Sequence, residues 1–334
     1  MTFIPKFRLT HRLIDWMNEN HFTHNRLPKR IEEVFFKSKE SPSTIASNLV
    51  CYAEKVSADD LDDELEGVIK KDNNALVNYI NHLGNIRKPI KPELILCLKG
   101  DGKSLSSISC SVGRLPRELE ADITNPQHFV NYVRGIGRKE HVYGNSSKLR
   151  IPEMEQVVFL SETNPIHLVV ENLVEYASVV GRLPEELENL LKGHGSQILL
   201  YFSRMNSISQ PFNEQLVDSL AGDSESLLQY AQNYLRKRLP VHLEKTMSDP
   251  KSLLNYAKNI VKGRLPEELE NHFAKDYRLA SDYAFNVIRA FACVRLPEVV
   301  HAAMVMKSFE IPDDLYIKRY VTECEKDTTV SGSW

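Results

Sequence analysis

The phrase Arg-Leu-Pro recurs along this chain of 334 residues and constrains its fold more than any other feature. Six full copies begin at Arg26, Arg114, Arg182, Arg238, Arg264 and Arg295. Weaker copies are RKPIKPELIL from Arg87, RIPEMEQVVF from Arg150, QPFNEQLVDSL around Pro211, and DLDDELEGVI, in which Asp62 replaces the proline. The mean spacing of these markers is about 30 residues, which is typical of two-helix repeats.

A second phrase precedes many of the markers, and its clearest copy is PKSLLNYAKNIVKG from Pro250. Apolar residues fall at Leu253, Tyr256, Ala257 and Ile260, the spacing of one face of an amphipathic helix. Tyrosines recur in this phrase ten residues before a marker. We expect Tyr79, Tyr230 and Tyr256 to lie in the core.

Local signals define the predicted hairpin. Ser252 is placed to cap the first helix, and Gly263 to end it in a left-handed conformation. Pro266 then opens the second helix, where acidic residues face the positive helix end. We interpret the glutamates of PEELE, which follow each turn in many copies, as a solvated first turn.

These patterns predict an all-α fold, an α-solenoid of about ten degenerate helical hairpins with a period near 30 residues. A lone hairpin buries too little apolar surface to be stable, so the units must stack. We expect a single array over residues 1–325, with an irregular insertion at 134–150 and a flexible C-terminal tail at 326–334.

The residues YAKNIVKGRLPEELE resemble a helical repeat found in uncharacterised proteins of large tailed bacteriophages, with the form Y-A-x-x-V-I-x-G-R-[WL]-P-E-x-E. The resemblance is closest at residues 256–270 and good at 176–188 and 230–244. It implies a helical array and a viral setting. No catalytic residue is carried over from it.

Composition narrows the partners and the location. Lys and Arg number 42 against 45 Asp and Glu, a net charge of −3, so no global basic field attracts nucleic acid or an anionic membrane. No apolar stretch approaches the roughly 18 residues of a membrane span. The cysteines are unpatterned and read as buried thiols in a reducing compartment: Cys51, Cys97, Cys110, Cys293 and Cys324. We therefore expect a cytoplasmic protein, in the host cytoplasm if viral, with no membrane contact, cofactor or metal.

Two sets of basic residues are candidate binding sites. The first lies in the insertion and comprises Arg134, Arg138, Lys139, His141, Lys148 and Arg150. Insertions in repeat arrays often line a binding face, although a plain solvated loop is the alternative. The second is a ladder of equivalent turn residues: Arg114, Arg182, Arg238, Arg264 and Arg295. A ladder could grip phosphates, or each arginine could stabilise its own turn, as Arg264 would by pairing with Glu268.

One segment imitates a nucleotide-binding loop. Gly100 to Ser104 reads GDGKS, but the first glycine of a phosphate-binding loop is absent, because Cys97 stands there. We interpret the segment as a polar loop between helices.

The sequence therefore predicts a non-enzymatic interaction scaffold that binds a host or viral protein through its solenoid surface. The alternative is an RNA- or DNA-binding repeat protein that uses the arginine ladder and the basic 134–150 segment. An enzyme with an unrecognised site is a third, weaker hypothesis.

Overall fold

The computed structural model describes residues 6–22, 26–56, 61–141, 146–206, 213–288 and 296–330. The described residues form helices, turns and loops with no strand among them, which confirms the predicted all-α fold. The chain divides into two compact units, residues 1–183 and 184–334. The predicted single array over residues 1–325 stays a prediction.

The first unit contains twelve α-helices in its described part. They are α1 Thr10–Glu19, α2 Lys29–Glu32, α3 Val34–Lys37, α4 Pro42–Val56, α5 Asp63–Ile69, α6 Asn73–Asn85, α7 Pro92–Leu96, α8 Gly102–Val112, α9 Arg117–Glu120, α10 Pro126–Lys139, α11 Pro152–Glu155 and α12 Ile166–Val180. A 3-10 turn spans Ser147–Leu149, and a π-helical turn spans Gln156–Leu160.

The second unit contains ten α-helices in its described part. They are α13 Glu185–Asn189, α14 Gly195–Asn206, α15 Glu214–Asp218, α16 Ser224–Tyr230, α17 Val241–Glu244, α18 Pro250–Tyr256, α19 Glu267–Glu270, α20 Tyr277–Asn286, α21 Glu298–Glu310 and α22 Leu315–Val330. π-helical turns follow α16 and α18 at Ala231–Leu235 and Ala257–Val261, and a 3-10 turn spans Asn271–Lys275.

Longer helices alternate with helices of about one turn through most of both units. In the first unit α4, α6, α8, α10 and α12 each pack against the next in that order, and in the second α14, α16, α18, α20 and α22 do the same. The predicted tyrosines lie in this core, since Tyr79, Tyr230 and Tyr256 are all buried. The second helix of most hairpins is shorter than expected because the cap of the next long helix follows soon after it.

Aspartates cap several of the long helices at positions where serine was expected. The Asp249 carboxylate accepts the backbone N–H of Ser252 at 2.8 Å, and Asp223 accepts that of Ser226 at 3.1 Å. The prediction that Ser252 caps α18 is therefore wrong. Serine instead occupies the third helical position, where its N–H is the group that needs an acceptor.

The end of the first helix also differs from the prediction. Lys262, not Gly263, takes the left-handed conformation, with φ of 52°, and its N–H donates to the Ala257 carbonyl at 2.7 Å to close the π-helical turn. Gly181 does have a positive φ, at 87°, where α12 ends. The segment from Tyr256 to Arg264 is two residues longer than its counterpart before Arg182, and the π-helical turn absorbs this extra length.

Two predicted irregular segments begin later than expected. Helix α10 continues to Lys139, so residues 134–139 of the supposed insertion are helical. Helix α22 continues to Val330, so residues 326–330 of the predicted tail are helical. Residues 142–145 and 331–334 lie outside the described residues.

Helix α8 packs unusually closely on its neighbours. A Cβ atom added at Gly135 of α10 would lie 1.8 Å from Oγ of Ser109, and one added at Gly84 of α6 would lie 2.5 Å from Cβ of Ser111. Such contacts are possible only for glycine. Since α8 has no tyrosine, small residues hold this repeat where an aromatic core residue holds others.

Candidate functional site

The Arg-Leu-Pro turn carries a recurring hydrogen-bonded cluster. Arg264 donates through Nε and Nη2 to the two carboxylate oxygens of Glu270, each at 3.0 Å. The Tyr283 hydroxyl donates to Oε1 of Glu270 at 2.7 Å and accepts the backbone N–H of Leu265 at 2.7 Å. We call this arrangement the arginine–glutamate–tyrosine clamp.

The clamp is rebuilt along the chain. Four more copies are Arg26, Leu27, Glu32 and Tyr52; Arg114, Leu115, Glu120 and Tyr132; Arg150, Ile151, Glu155 and Tyr176; and Arg238, Leu239, Glu244 and Tyr256. The turn and the one-turn helix provide the first three groups, and the next long helix provides the tyrosine. Each clamp therefore ties a turn to the helix that follows it.

Altered copies keep the geometry with different residues. In one repeat the sequence has Asp60 at the position of the arginine. Lys91 supplies the cation instead, and its Nζ lies 2.9 Å from Oε2 of Glu66. In the last described repeat His301 takes the position of the glutamate, and its Nδ1 lies 3.1 Å from the Tyr320 hydroxyl. The side chain that partners the phenol can thus change while the phenol stays in place, since Tyr320 still accepts the N–H of Leu296 at 3.3 Å.

Burial sets the chemistry of the clamp. Desolvation raises the pKa of Tyr132, Tyr176 and Tyr283 well above the ordinary value, and hydrogen bonds to glutamate raise the pKa of Arg114 and Arg238. At neutral pH the phenols therefore stay protonated and the guanidinium groups stay charged. In these protonation states the phenols and guanidinium groups donate the hydrogen bonds of the clamp to its glutamate.

Most arginines of the predicted ladder are paired within the protein. Arg114, Arg238 and Arg264 each pair with a glutamate whose side chain is at most 4% exposed, while their own side chains are 44–56% exposed. Arg182 is also engaged within the protein, and Arg295 lies outside the described residues. Arg114, Arg238 and Arg264 thus each support their own repeat.

The predicted partner of Arg264 is wrong. It pairs with Glu270, six residues later, whereas Glu268 is exposed and lies 3.2 Å from Lys245. The interpretation of PEELE as a wholly solvated turn is wrong for the same reason, because the last glutamate is fully buried. A helical turn points Glu268 outward and Glu270 toward the core.

The basic 134–150 segment does not form one cluster. Arg134 lies on α10 and pairs with Glu175 at 3.1 Å, and Arg150 belongs to a clamp with Glu155 at 2.7 Å. Arg138 and Lys139 are exposed on the last turn of α10, Lys148 is exposed on the 3-10 turn, and His141 is exposed with φ of 53°. Three of the predicted binding residues, Arg138, Lys139 and Lys148, are therefore exposed, and their side chains form no hydrogen bond or ion pair in the described structure.

The segment that imitates a nucleotide-binding loop is a helix cap. Asp101 accepts the backbone N–H of Ser104 at 3.1 Å and its hydroxyl at 2.7 Å. A Cβ atom added at Gly102 would lie 2.4 Å from the Asp122 carbonyl oxygen. This glycine is needed for close backbone packing at the start of α8. The predicted polar loop is therefore wrong for residues 102–104, which are helical.

One strongly basic feature was missed by the sequence analysis. A groove of about 1230 Å³ lies between the segment before α1 and helices α2 and α3. Its charged rim consists of Lys6, Arg8, Arg30, Glu33, Lys37 and Lys39. The clustering of cations in the first forty residues was the available signal, but the copy RLPKRIEEVF was interpreted only as a repeat.

Three further findings concern relatives, metal binding and membrane spans. Comparison with protein families, curated proteins and solved structures found no match to this chain. Among the described residues, histidine, cysteine and carboxylate side chains form no group suited to hold a metal ion. None of the described helices combines the length and apolar character needed to cross a bilayer.

Proposed function

We propose that this chain is a non-enzymatic scaffold that binds a protein partner through the surface of a solenoid built from its repeats. The observation that supports this proposal is the clamp, in which the recurring charged residues are used to hold each repeat together. An active site is normally a single arrangement, whereas the clamp is copied many times. Copies of a structural module extend a surface, and extended surfaces of stacked repeats serve binding.

The resemblance to repeats of large tailed bacteriophages gives this proposal its setting. The protein would be phage-encoded and would act in the host cytoplasm on a host or viral protein. The exposed end of α10 with Arg138 and Lys139, together with Lys148, remains the binding surface proposed from the sequence. These side chains are free to meet an acidic partner.

Nucleic-acid binding is the second candidate, supported by the basic groove near the N-terminus. The ladder supports it less, because each clamp carries a carboxylate of opposite charge beside the arginine. Phosphate binding requires clustered, uncompensated cations. Direct contact with a nucleic acid would therefore involve residues other than the ladder.

The test is affinity capture with the immobilised full chain from a lysate of its source cells, with and without nuclease. We expect a defined protein to be retained in both cases and to bind again as a purified pair. Loss of every retained protein after nuclease treatment would overturn the proposal in favour of the second candidate.

A triple variant locates the surface. Replacing Arg138, Lys139 and Lys148 by serine should leave the melting temperature nearly unchanged, because exposed substitutions usually stay within about 0.5 kcal/mol each. Partner retention should fall. Unchanged retention would remove this surface from the proposal without removing the scaffold function.

A further inference from the structure

The groove near the N-terminus has an excess of positive charge that the fold does not use. Five cations line it against one carboxylate: Lys6, Arg8, Arg30, Lys37 and Lys39 against Glu33. Glu33 forms an ion pair with Lys37. The other four cations are exposed and have no hydrogen bond or ion pair in the described structure. Four like charges around one groove repel one another, so an anionic ligand would relieve this repulsion.

Apolar side chains lie between these cations. Phe7, Leu9, Ile31 and Val34 line the groove, and the last two are buried parts of the core. Phe7 is held by Trp16, with ring centroids 5.8 Å apart. The groove therefore offers an apolar floor with a cationic rim, which differs from the stacked aromatic platforms that suit single-stranded nucleic acids.

The two walls of the groove are fixed to each other. Glu40, which follows α3, accepts the backbone N–H and the hydroxyl of Thr10 at 2.5 Å, and its other oxygen lies 2.6 Å from His11. Asn48 of α4 donates to the Thr10 hydroxyl at 2.8 Å. This carboxylate caps the start of α1, so its charge is already matched and does not offset the cations of the rim.

We propose that this groove binds an acidic segment of a partner protein, with carboxylates on the cationic rim and aliphatic side chains on the apolar floor. The inference rests on the proposed function and names the chemistry of the partner. Carboxylates match guanidinium and ammonium groups, and the apolar floor stabilises side chains that a phosphate backbone lacks. Together these features favour an acidic peptide over a nucleic acid.

Three fluorescein-labelled probes of equal charge test the proposal with the full chain by fluorescence anisotropy. They are a peptide of four Glu-Glu-Leu repeats, a peptide of four Glu-Glu-Ser repeats, and a thymidine oligonucleotide with eight phosphates. We expect the leucine peptide to bind at least about tenfold more tightly than the other two, because only it offers both kinds of contact. Its affinity should fall as salt is added.

A matched pair of variants locates the binding. The groove variant carries Arg8→Glu, Arg30→Glu and Lys39→Glu, and the control carries Lys71→Glu, Lys99→Glu and Lys103→Glu. The control residues are exposed lysines of the same unit outside the groove. The groove variant should bind the leucine peptide at least about tenfold more weakly, and the control should bind like the original chain. Equal melting temperatures of the two variants check that both fold.

The outcomes separate this inference from the proposed function. Absence of peptide binding, or equal loss in both variants, overturns the groove as a peptide site. The scaffold function then still stands if the groove variant captures its protein partner. Tighter binding of the oligonucleotide, lost only in the groove variant, overturns the peptide proposal and assigns the groove to nucleic acid.

Discussion

The hydroxyl of Tyr256 accepts the backbone N–H of Leu239 at 2.8 Å, across 17 positions of the chain. The leucine belongs to a tight turn, and the tyrosine lies in the middle of the following long-helix phrase. This bond supplies a buried backbone donor with an acceptor that the turn itself lacks. The position of the turn is therefore set by a helix that comes later in the sequence.

Removal of that single oxygen should be costly. Tyr256→Phe leaves the N–H of Leu239 and the carboxylate of Glu244 each short of a partner, so the free energy of unfolding should fall by about 1–3 kcal/mol. Tyr256→Ala also removes the ring and should lose about 3–5 kcal/mol. Urea denaturation measures both. Tyr316→Phe is the control, because Tyr316 is 51% exposed, and a loss there equal to that of Tyr256→Phe would contradict the role of the bond.

The ion pair inside the clamp should be coupled. Arg264→Gln leaves the buried Glu270 without its cation, and Glu270→Gln removes the charge that faces the arginine. Because the arginine is partly exposed, we expect each change to lose about 1–3 kcal/mol, with the double variant losing less than the two losses together. Thermal or urea unfolding of all four proteins gives the coupling. Additive losses would show that the pair is not coupled.

The exposed pair between Lys245 and Glu268 provides the contrast for this cycle. Their side chains are 56% and 68% exposed, so Glu268→Gln should change stability by no more than about 0.5 kcal/mol. If this variant proved as unstable as Glu270→Gln, the assignment of the buried glutamate as the structural one would be wrong.

The close packing of α8 predicts a strong effect of one methyl group. Gly135→Ala would place a carbon against the Ser109 hydroxyl, and the helices would have to move apart, at about 1–3 kcal/mol. Gly67→Ala in α5 is the matched control, since no atom lies within 4 Å of its added carbon. Alanine there should be neutral or should stabilise the protein by up to about 1 kcal/mol. Equal melting temperatures of the two variants would contradict this account.

The N-terminal wall of the groove should be sensitive to acid. Burial acts to raise the pKa of Glu40, but hydrogen bonds from Thr10, His11 and Ser38 outweigh it and lower the pKa to about 2. A depressed pKa contributes stability above the unfolded value of about 4.3, and this contribution is lost as pH falls toward 2.

Glu40→Gln tests this dependence. The free energy of unfolding should fall by on the order of 2 kcal/mol at pH 7, and the difference from the original chain should shrink between pH 4.3 and pH 2, roughly as the linkage relation requires. Glu64→Gln, an exposed change on α5, is the control. A pH-independent difference for Glu40→Gln would assign its effect to packing and not to charge.

Much of the fold could be predicted from the sequence because its signals are local and repeated. Helical periodicity around Tyr256 and the turn at Pro266 each depend on neighbouring residues, and both predictions agree with the structure. The capping prediction failed because serine and aspartate are both good caps, and spacing alone did not place Asp249 at the helix start. Local preference cannot decide between two acceptable caps three residues apart.

The clamp could have been found in part. Glutamate stands six residues after the arginine in five of the six Arg-Leu-Pro copies, although the residues between them vary, as in RLPKRIE and RLPVHLE. That regularity distinguishes Glu270 from the variable Glu268. Each partner tyrosine stands about ten residues before the next turn, and this spacing associated it with that turn. In the structure its hydroxyl bonds instead to the preceding turn. The groove was missed because its walls are joined by long-range contacts such as that of Glu40 with Thr10, across 30 positions.

The clamp also defines a unit of the chain that begins at its arginine and includes its tyrosine. The clamp of Arg238 is closed by Tyr256, before the next turn begins at Arg264. A duplication or deletion of residues 238–263 would therefore add or remove one complete clamp and leave the groups of the next clamp, Arg264, Glu270 and Tyr283, together. A break between Glu244 and Tyr256 would instead divide one. Recombination at the arginine codons could thus lengthen or shorten the gene by whole repeats. The number of repeats, and with it the length of the protein, would then change without dividing a clamp.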